Sequence, residues 1–231
     1  MPERSSRLVL PSGLSPRQAM ALQTAWRKRL RLERELDPRR VRLVAGADLS
    51  MECHGDYGFA AIVVLDLESG ETLDVGRAEG RLTFPYVPGL LAFREVPLIQ
   101  AAFATLQVMP EVLLCDGQGY AHPRRMGLAC MAGLVLGIPT VGCAKSRLCG
   151  EERQPARERG RFTWLVDGGE RIGMTLRTRH GVAPVYVSPG HRIDFHAARA
   201  LVLRCATAYR LPEPIRQAHA EVNGMRKTRG G

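Results

Sequence analysis

Much is missing from this chain, and each gap excludes something. Aromatic residues make up only 6% of it, with two tryptophans. The six cysteines, Cys53, Cys115, Cys130, Cys143, Cys149 and Cys205, form no C-x-x-C pair and no Cys/His ladder. That spacing argues against a zinc cage or a disulfide framework; three of them lie inside apolar runs, where Cys behaves as a small hydrophobe. Reduced, structural thiols fit an intracellular protein. The N-terminus carries charge at Glu3, Arg4 and Arg7 but no apolar core of signal-peptide length. Phe59 to Leu65 is apolar yet far too short to span a bilayer. The expected location is therefore cytoplasmic or on the nucleoid, with no membrane contact. There is no Walker A loop and no Ser-His-Asp arrangement, and Gly117-Gln118-Gly119 lacks the third glycine of a dinucleotide fingerprint. An organic cofactor is not expected.

What is present is basic. Among 231 residues, 33 Lys and Arg outnumber 23 Asp and Glu, a formal net charge of +10. An excess of that size favours a phosphate-bearing partner, nucleic acid above all. The length suits one generous domain with its own core, acting as a monomer. No internal repeat or long linker divides it, so we expect a loose arm over 1–14, a single domain over 15–222 and a basic tail over 223–231.

Ser15-Pro16-Arg17-Gln18 has the form of a helix start, with Ser as N-cap, Pro at N1 and Gln at N3. The spacing of Leu22, Trp26 and Leu30 extends that helix to about Asp37, with Arg27, Lys28, Arg29, Arg31 and Arg34 around its outer surface. Three strand-like runs follow, Val41–Met51, Tyr57–Leu67 and Thr72–Ala78, joined by hairpin-type turns at Gly55-Asp56 and Glu68-Ser69-Gly70. Pro85-Tyr86-Val87-Pro88-Gly89 forces a stiff loop. A helix is predicted over 90–108, interrupted near Pro97, then a strand over 112–115, a buried helix over 123–136 and a strand over 140–144. Residues 151–160 read as a charged, mobile stretch; strands are expected over 161–166, 171–176 and 184–188, and a final helix over 193–209. Three antiparallel strands followed by helix, strand, helix, strand describe an α/β protein: a mixed sheet with helices on both faces, in the ribonuclease H-like order.

The chemistry gathers at Val112-Leu113-Leu114-Cys115-Asp116-Gly117-Gln118-Gly119. A wholly apolar run this short suits a central strand buried on both faces. A carboxylate at its end sits where open α/β sheets bind ligands, and it needs a cation there. Asp48 ends the first strand in equally apolar company, and in a ribonuclease H-like sheet those two strands are neighbours. Two carboxylates at close range repel unless one is protonated or a divalent cation sits between them. Mg²⁺, with Mn²⁺ able to substitute, takes hard oxygens and keeps several waters, so few protein ligands suffice. Glu95 is the third candidate acid, aimed back at the sheet by the stiff loop; its bland alternative is an exposed acid paired with Arg94. Lys145 ends the 140–144 strand at the same edge, where an ammonium would hold a scissile phosphate. His122, Arg124 and Arg125 add donors beside the bare turn at Gly117 and Gly119.

Ordered along the chain, Val44-Ala45-Gly46-Ala47-Asp48, Pro85 through Glu95, Asp116-Gly117-Gln118-Gly119, His122-Pro123-Arg124-Arg125 and Gly142-Cys143-Ala144-Lys145-Ser146 resemble the successive motifs of the endonuclease V family. The resemblance runs from about Ser15 to His219, through Val187-Ser188-Pro189-Gly190-His191-Arg192 and Leu211-Pro212-Glu213-Pro214-Ile215-Arg216. It departs from the family pattern at Met131, where a His is usual, and at Cys143, where an aliphatic is usual. The resemblance implies a Mg²⁺-dependent DNA-repair endonuclease that cuts the second phosphodiester 3′ to deoxyinosine, leaving a 3′-hydroxyl and a 5′-phosphate. It makes Asp48, Glu95 and Asp116 the metal-site acids, with His219 completing the centre. Tyr86 becomes the wedge that fills the gap left by the extruded base. The base pocket falls around Gly89, Leu91, Gly117 and Gly119, with further nucleic-acid contacts from Pro88, His122 and Arg124. The alternatives are a nuclease of inosine-containing RNA or of branched or flapped DNA, or a catalytically silent nucleic-acid binder. An actin-like kinase shares the early strands but finds no phosphate loops here.

Overall fold

A computed structural model describes residues 7–33, 35–52 and 56–229. Glu3, Arg4, Arg34, Cys53 and Gly55, named above, lie outside the described residues. The elements run α1 (Pro16–Arg27), β1 (Leu43–Met51), β2 (Tyr57–Asp66), β3 (Thr72–Arg81), α2 (Leu91–Ala104), β4 (Val112–Cys115), α3 (Leu128–Leu136), β5 (Thr140–Ala144), β6 (Phe162–Asp167), β7 (Glu170–Leu176), β8 (Val185–His191), α4 (Phe195–Cys205) and α5 (Glu213–Arg229).

The eight strands form one sheet in the order β3-β2-β1-β4-β5-β8-β7-β6. β1, β2 and β3 are antiparallel neighbours; β4 lies parallel to β1, and β5 parallel to β4. β8, β7 and β6 complete the sheet antiparallel. Side chains alternate across the pleat, so each strand feeds two cores. Ala45, Ala47, Leu113 and Cys115 face α2 and α3, while Val44, Val112, Leu114, Val141 and Cys143 face α4 and the start of α5. Helices cover both faces of a mixed sheet, as the element order predicts. None of the described helices is long and apolar enough to cross a membrane.

Several boundaries differ from those read in the sequence, each for a physical reason. The capping box at Ser15 and Gln18 forms as predicted, but α1 stops at Arg27 instead of reaching Asp37. Beyond it the chain leaves helical geometry so that the Arg31 N–H can donate to His191 Nδ1 and its carbonyl can accept from the Arg192 N–H. Pro97 does not break α2, whose flanking Val96 and Ile99 are buried in the core. α3 starts at Leu128, five residues late, because Arg125 takes φ 57° in the left-handed region. Arg125 is held there by Asp167 and Glu170, each at 2.8 Å. The charged stretch over 151–160 is pinned: Glu151 pairs with Val166 in both directions, and Glu152 accepts from Thr175 and Tyr186. α4 covers only 195–205 of the helix expected over 193–209. From position 8 the expected loose arm lies on the core, with the Leu8 N–H bonded to Leu134 O and Leu10 and Leu14 packed alongside. The stretch expected as a basic tail is the end of α5, which continues to Arg229.

Candidate active site

Parity along the strands decides which side chains meet. On β1, Val44, Gly46 and Asp48 share the α5 face of the sheet. Ala47 pairs with Cys115 at the last registered step between β1 and β4, and the Asp116 N–H donates to Ala47 O at 3.1 Å. Asp48 and Asp116 therefore leave adjacent parallel strands one step later, on the same face. α5 comes unusually close here. A Cβ at Gly46 would lie 2.1 Å from the Pro214 carbonyl carbon, so only glycine allows the helix to rest on the strand. That contact brings His219 Nδ1 to 2.7 Å from Asp48 Oδ2. On the other side, Lys145 Nζ lies 2.5 Å from Asp116 Oδ2.

Among the described residues, Asp48, Asp116 and His219 can each present one ligand atom within 4.8 Å of the others. This donor set suits a hard or borderline divalent cation: two carboxylate oxygens and one imidazole nitrogen, with room for water. The electrostatics are those of crowded acids. Burial, then the neighbouring charge of Asp116, raises the Asp48 pKa, and the hydrogen bond from His219 opposes the shift. Glu95 stands outside the cluster and approaches from the α2 side of the sheet. Burial pushes its pKa up to about 8, helped by Asp48 and Asp116 and opposed by Arg94. A cation among these groups would relieve the repulsion that both shifts record.

Beside the carboxylates is a cavity of about 380 Å³, walled by Pro88, Gly89, Leu91, Gly117, Gln118 and Lys145. Tyr86 stands on its wall with 70% of its surface exposed. Pro88 and Gly89 form a type II turn: the Leu90 N–H donates to Val87 O, and Gly89 has φ +77°. The other end of the loop is fixed by Arg94, whose Nη1 donates to Phe84 O at 2.6 Å. Phe84 also packs on Phe93 with ring centroids 5.4 Å apart.

The remaining expected contacts are arranged differently from the sequence reading. Gly119 is turned away from the cavity: its N–H donates to Ser188 Oγ, and a Cβ there would lie 2.3 Å from Pro189 O. Arg124 is absent from the cavity wall and points into the protein, donating through Nη2 to Gly89 O at 2.7 Å. His122 lines the cavity, yet both ring nitrogens are engaged within the protein. Nε2 meets Gly89 O at 3.0 Å and Nδ1 accepts from the Arg124 N–H at 3.1 Å, a pattern that requires the neutral ring. Burial, with Arg124 next, pushes its pKa down to about 4. Met131 and Cys143 are fully buried in the core.

Two residues of this neighbourhood escape the sequence reading. Gln118 donates through Nε2 to Ser146 O, tying the turn after β4 to the loop after β5. Gln23, on α1, is wholly buried beneath the Pro88–Gly89 turn. Its signal is a polar residue within a buried helical stripe, four residues after Ala19 and three before Trp26.

Comparison with known proteins agrees with this geometry. The family model described as endonuclease V matches residues 24–220. A protein named endonuclease V from Myxococcus xanthus is 48% identical over 217 residues, covering 94% of this chain and 92% of its own. The crystal structure of endonuclease V from Streptomyces avermitilis superposes with a TM-score of 0.91 at 38% identity, covering 96% of this chain and 98% of that one. A more distant structure, endonuclease V from Ciona intestinalis, has a TM-score of 0.78 at 24% identity, covering 90% of this chain and 96% of that one. It was determined with a 24mer DNA containing an inosine followed by a ribo-adenosine.

Proposed function

The chain belongs to the endonuclease V family, and from that premise we propose that it is a Mg²⁺-dependent endonuclease acting on deoxyinosine in DNA. It cleaves the second phosphodiester bond 3′ to the deaminated base, leaving a 3′-hydroxyl and a 5′-phosphate. The observation that carries this reading is the convergence of Asp48, Asp116 and His219 beside a cavity whose wall bears an exposed tyrosine.

Asp48 and Asp116 are the residues that would hold the cation, with Glu95 as the third acid and His219 in reach. When bound, a divalent ion supplies Lewis-acid polarisation of the phosphodiester and a water that ionises near neutrality. The rest falls to the chain's own side chains. His219 orients the Asp48 carboxylate through Nδ1 and keeps Nε2 for the attacking water. Lys145 exchanges its contact with Asp116 for a phosphate oxygen and steadies charge as the bond breaks. Pro88, Gly89, Leu91 and Gly117 provide a cavity for the flipped base, and Tyr86, stiffened by the two prolines, fills the space that base leaves in the strand.

Labelled duplexes with and without one deoxyinosine, incubated with Mg²⁺ or with chelator, test the reading. Cutting confined to the deoxyinosine strand in Mg²⁺ is expected, together with binding but no cutting by Asp48→Asn. A wild-type protein that binds these duplexes and never cuts them would instead be a binder. The ribo-adenosine in the Ciona ligand favours a second substrate, inosine followed by a ribonucleotide, which matched RNA and chimeric strands in the same assay would reveal.

A further inference from the structure

We infer that Gln23 is a positioning residue for lesion recognition: its buried carboxamide fixes the Gly89 carbonyl, and through it the loop that carries Tyr86. This rests on the function proposed above. Gln23 belongs to α1, outside every motif that delivers an acid, and borders the same cavity from beneath the Pro88–Gly89 turn. Its side chain is 0% exposed in a helix that otherwise buries only Ala19. A carboxamide in such a place must have all its bonds made, and here they are made across three segments. Nε2 donates to Gly89 O at 3.1 Å and to Met126 O at 2.9 Å, while Oε1 accepts from Arg124 Nε.

The acceptor bond decides the orientation of Arg124. With Nε held by Gln23, the guanidinium presents Nη2 to Gly89 O at 2.7 Å, on the carbonyl that His122 Nε2 also meets. Three donors thus converge on one carbonyl, which fixes the Gly89–Leu90 peptide of the type II turn. The wedge residue Tyr86 lies immediately before that turn. The same amide holds Met126 O, just ahead of α3, so the two lips of the cavity keep their spacing through one side chain. Without Gln23, Arg124 keeps its charge but loses the partner that aims it, and the Met126 carbonyl loses this donor.

Gln23→Leu removes all three bonds at similar volume. Gln23→Glu keeps the Arg124 bond and removes both donations, and it carries the test if the leucine variant does not fold. The expected result is a rise in KM for a deoxyinosine duplex of roughly ten- to hundredfold. The kcat, the affinity for undamaged duplex and the calorimetric Mn²⁺ affinity should change little. A nitroxide attached through Tyr86→Cys, with Cys53 and Cys149 replaced by Ser, should become more mobile in either variant. An unchanged KM with an unchanged nitroxide spectrum overturns the inference, as does a parallel loss of kcat and Mn²⁺ binding, which marks general disruption. If wild-type protein ignores deoxyinosine, the proposed function fails, while the nitroxide contrast still decides the role of Gln23.

Discussion

Lys145 Nζ closes to 2.5 Å of Asp116 Oδ2, so its ammonium sits on a carboxylate that a divalent cation would share. The two cations compete for one acid. Lys145→Met should therefore leave Mn²⁺ affinity equal or tighter by calorimetry while single-turnover cutting falls by roughly a hundredfold. Weaker metal binding in this variant would show that the lysine supports the ion and has no separate role at the phosphate.

Glu95, buried with a pKa near 8, penalises the metal-free fold at high pH. Its folded pKa lies above the value of 4.5 expected when exposed, so its contribution is fully present below pH 4.5 and is lost as pH rises through 8. Glu95→Gln should stabilise the metal-free protein by up to about 5 kcal/mol at pH 8.5 and by little at pH 4.5. Denaturant titrations at the two pH values check this, and equal gains at both would refute it. Cutting by the same variant should fall sharply.

Two buried histidines set an acid limit away from the carboxylates. Burial pushes His191 down to about 4, and His122 likewise. Groups with a depressed folded pKa lend stability above the unfolded value, near 6.5, and lose it as pH falls toward 4, because only the unfolded chain takes up protons in that window. Each contributes at most about 3 kcal/mol. His191→Asn, which can keep an acceptor for the Arg31 N–H, should raise the unfolding free energy at pH 4.5, relative to that at pH 7, by about 2 kcal/mol over wild type. An unaltered slope would assign the acid sensitivity elsewhere.

Tyr86 is largely exposed, so its loss costs the fold little. Tyr86→Ala should unfold within about 0.5 kcal/mol of wild type. Cutting of deoxyinosine duplex should nonetheless drop roughly tenfold, the worth of a stacked aromatic. Tyr86→Trp should retain activity. Activity unaffected in the alanine variant would remove the wedge from the mechanism.

The inner strands were legible because their apolar runs and terminal acids leave few alternatives. Val112–Cys115 could hardly be placed outside a central strand, and alternation then puts Asp48 and Asp116 on one face. The capping box at Ser15 and the stiff Pro85–Gly89 loop are equally local, and both form, the loop closing in a type II turn. What the residues hide is long-range competition. The apolar spacing that continues from Trp26 to Leu30 favours more helix, but the pairing of Arg31 with His191 and Arg192 overrides it. α5 is hard to see because Pro212 and Pro214 look like breakers and its buried stripe is thin: Pro214, Ile215, Ala218 and Val222. Pro214 lies in the first turn, where a missing N–H costs nothing. The basic His122-Pro123-Arg124-Arg125 cluster suggests free donors, whereas the fold spends His122 and Arg124 on Gly89 and Arg125 on Asp167 and Glu170. No local pattern reveals which way an arginine turns.

Asp48 and the imidazole hydrogen-bonded to it are separated by 171 positions, one on the first strand and the other on the last described helix. Synthesis from the N-terminus makes the carboxylates long before the histidine leaves the ribosome. A chain stalled or clipped ahead of Glu213 would carry both carboxylates but neither His219 nor the helix that rests on Gly46. On the function proposed above, such partial products would hold an incomplete centre, a consequence of the order of parts along the chain.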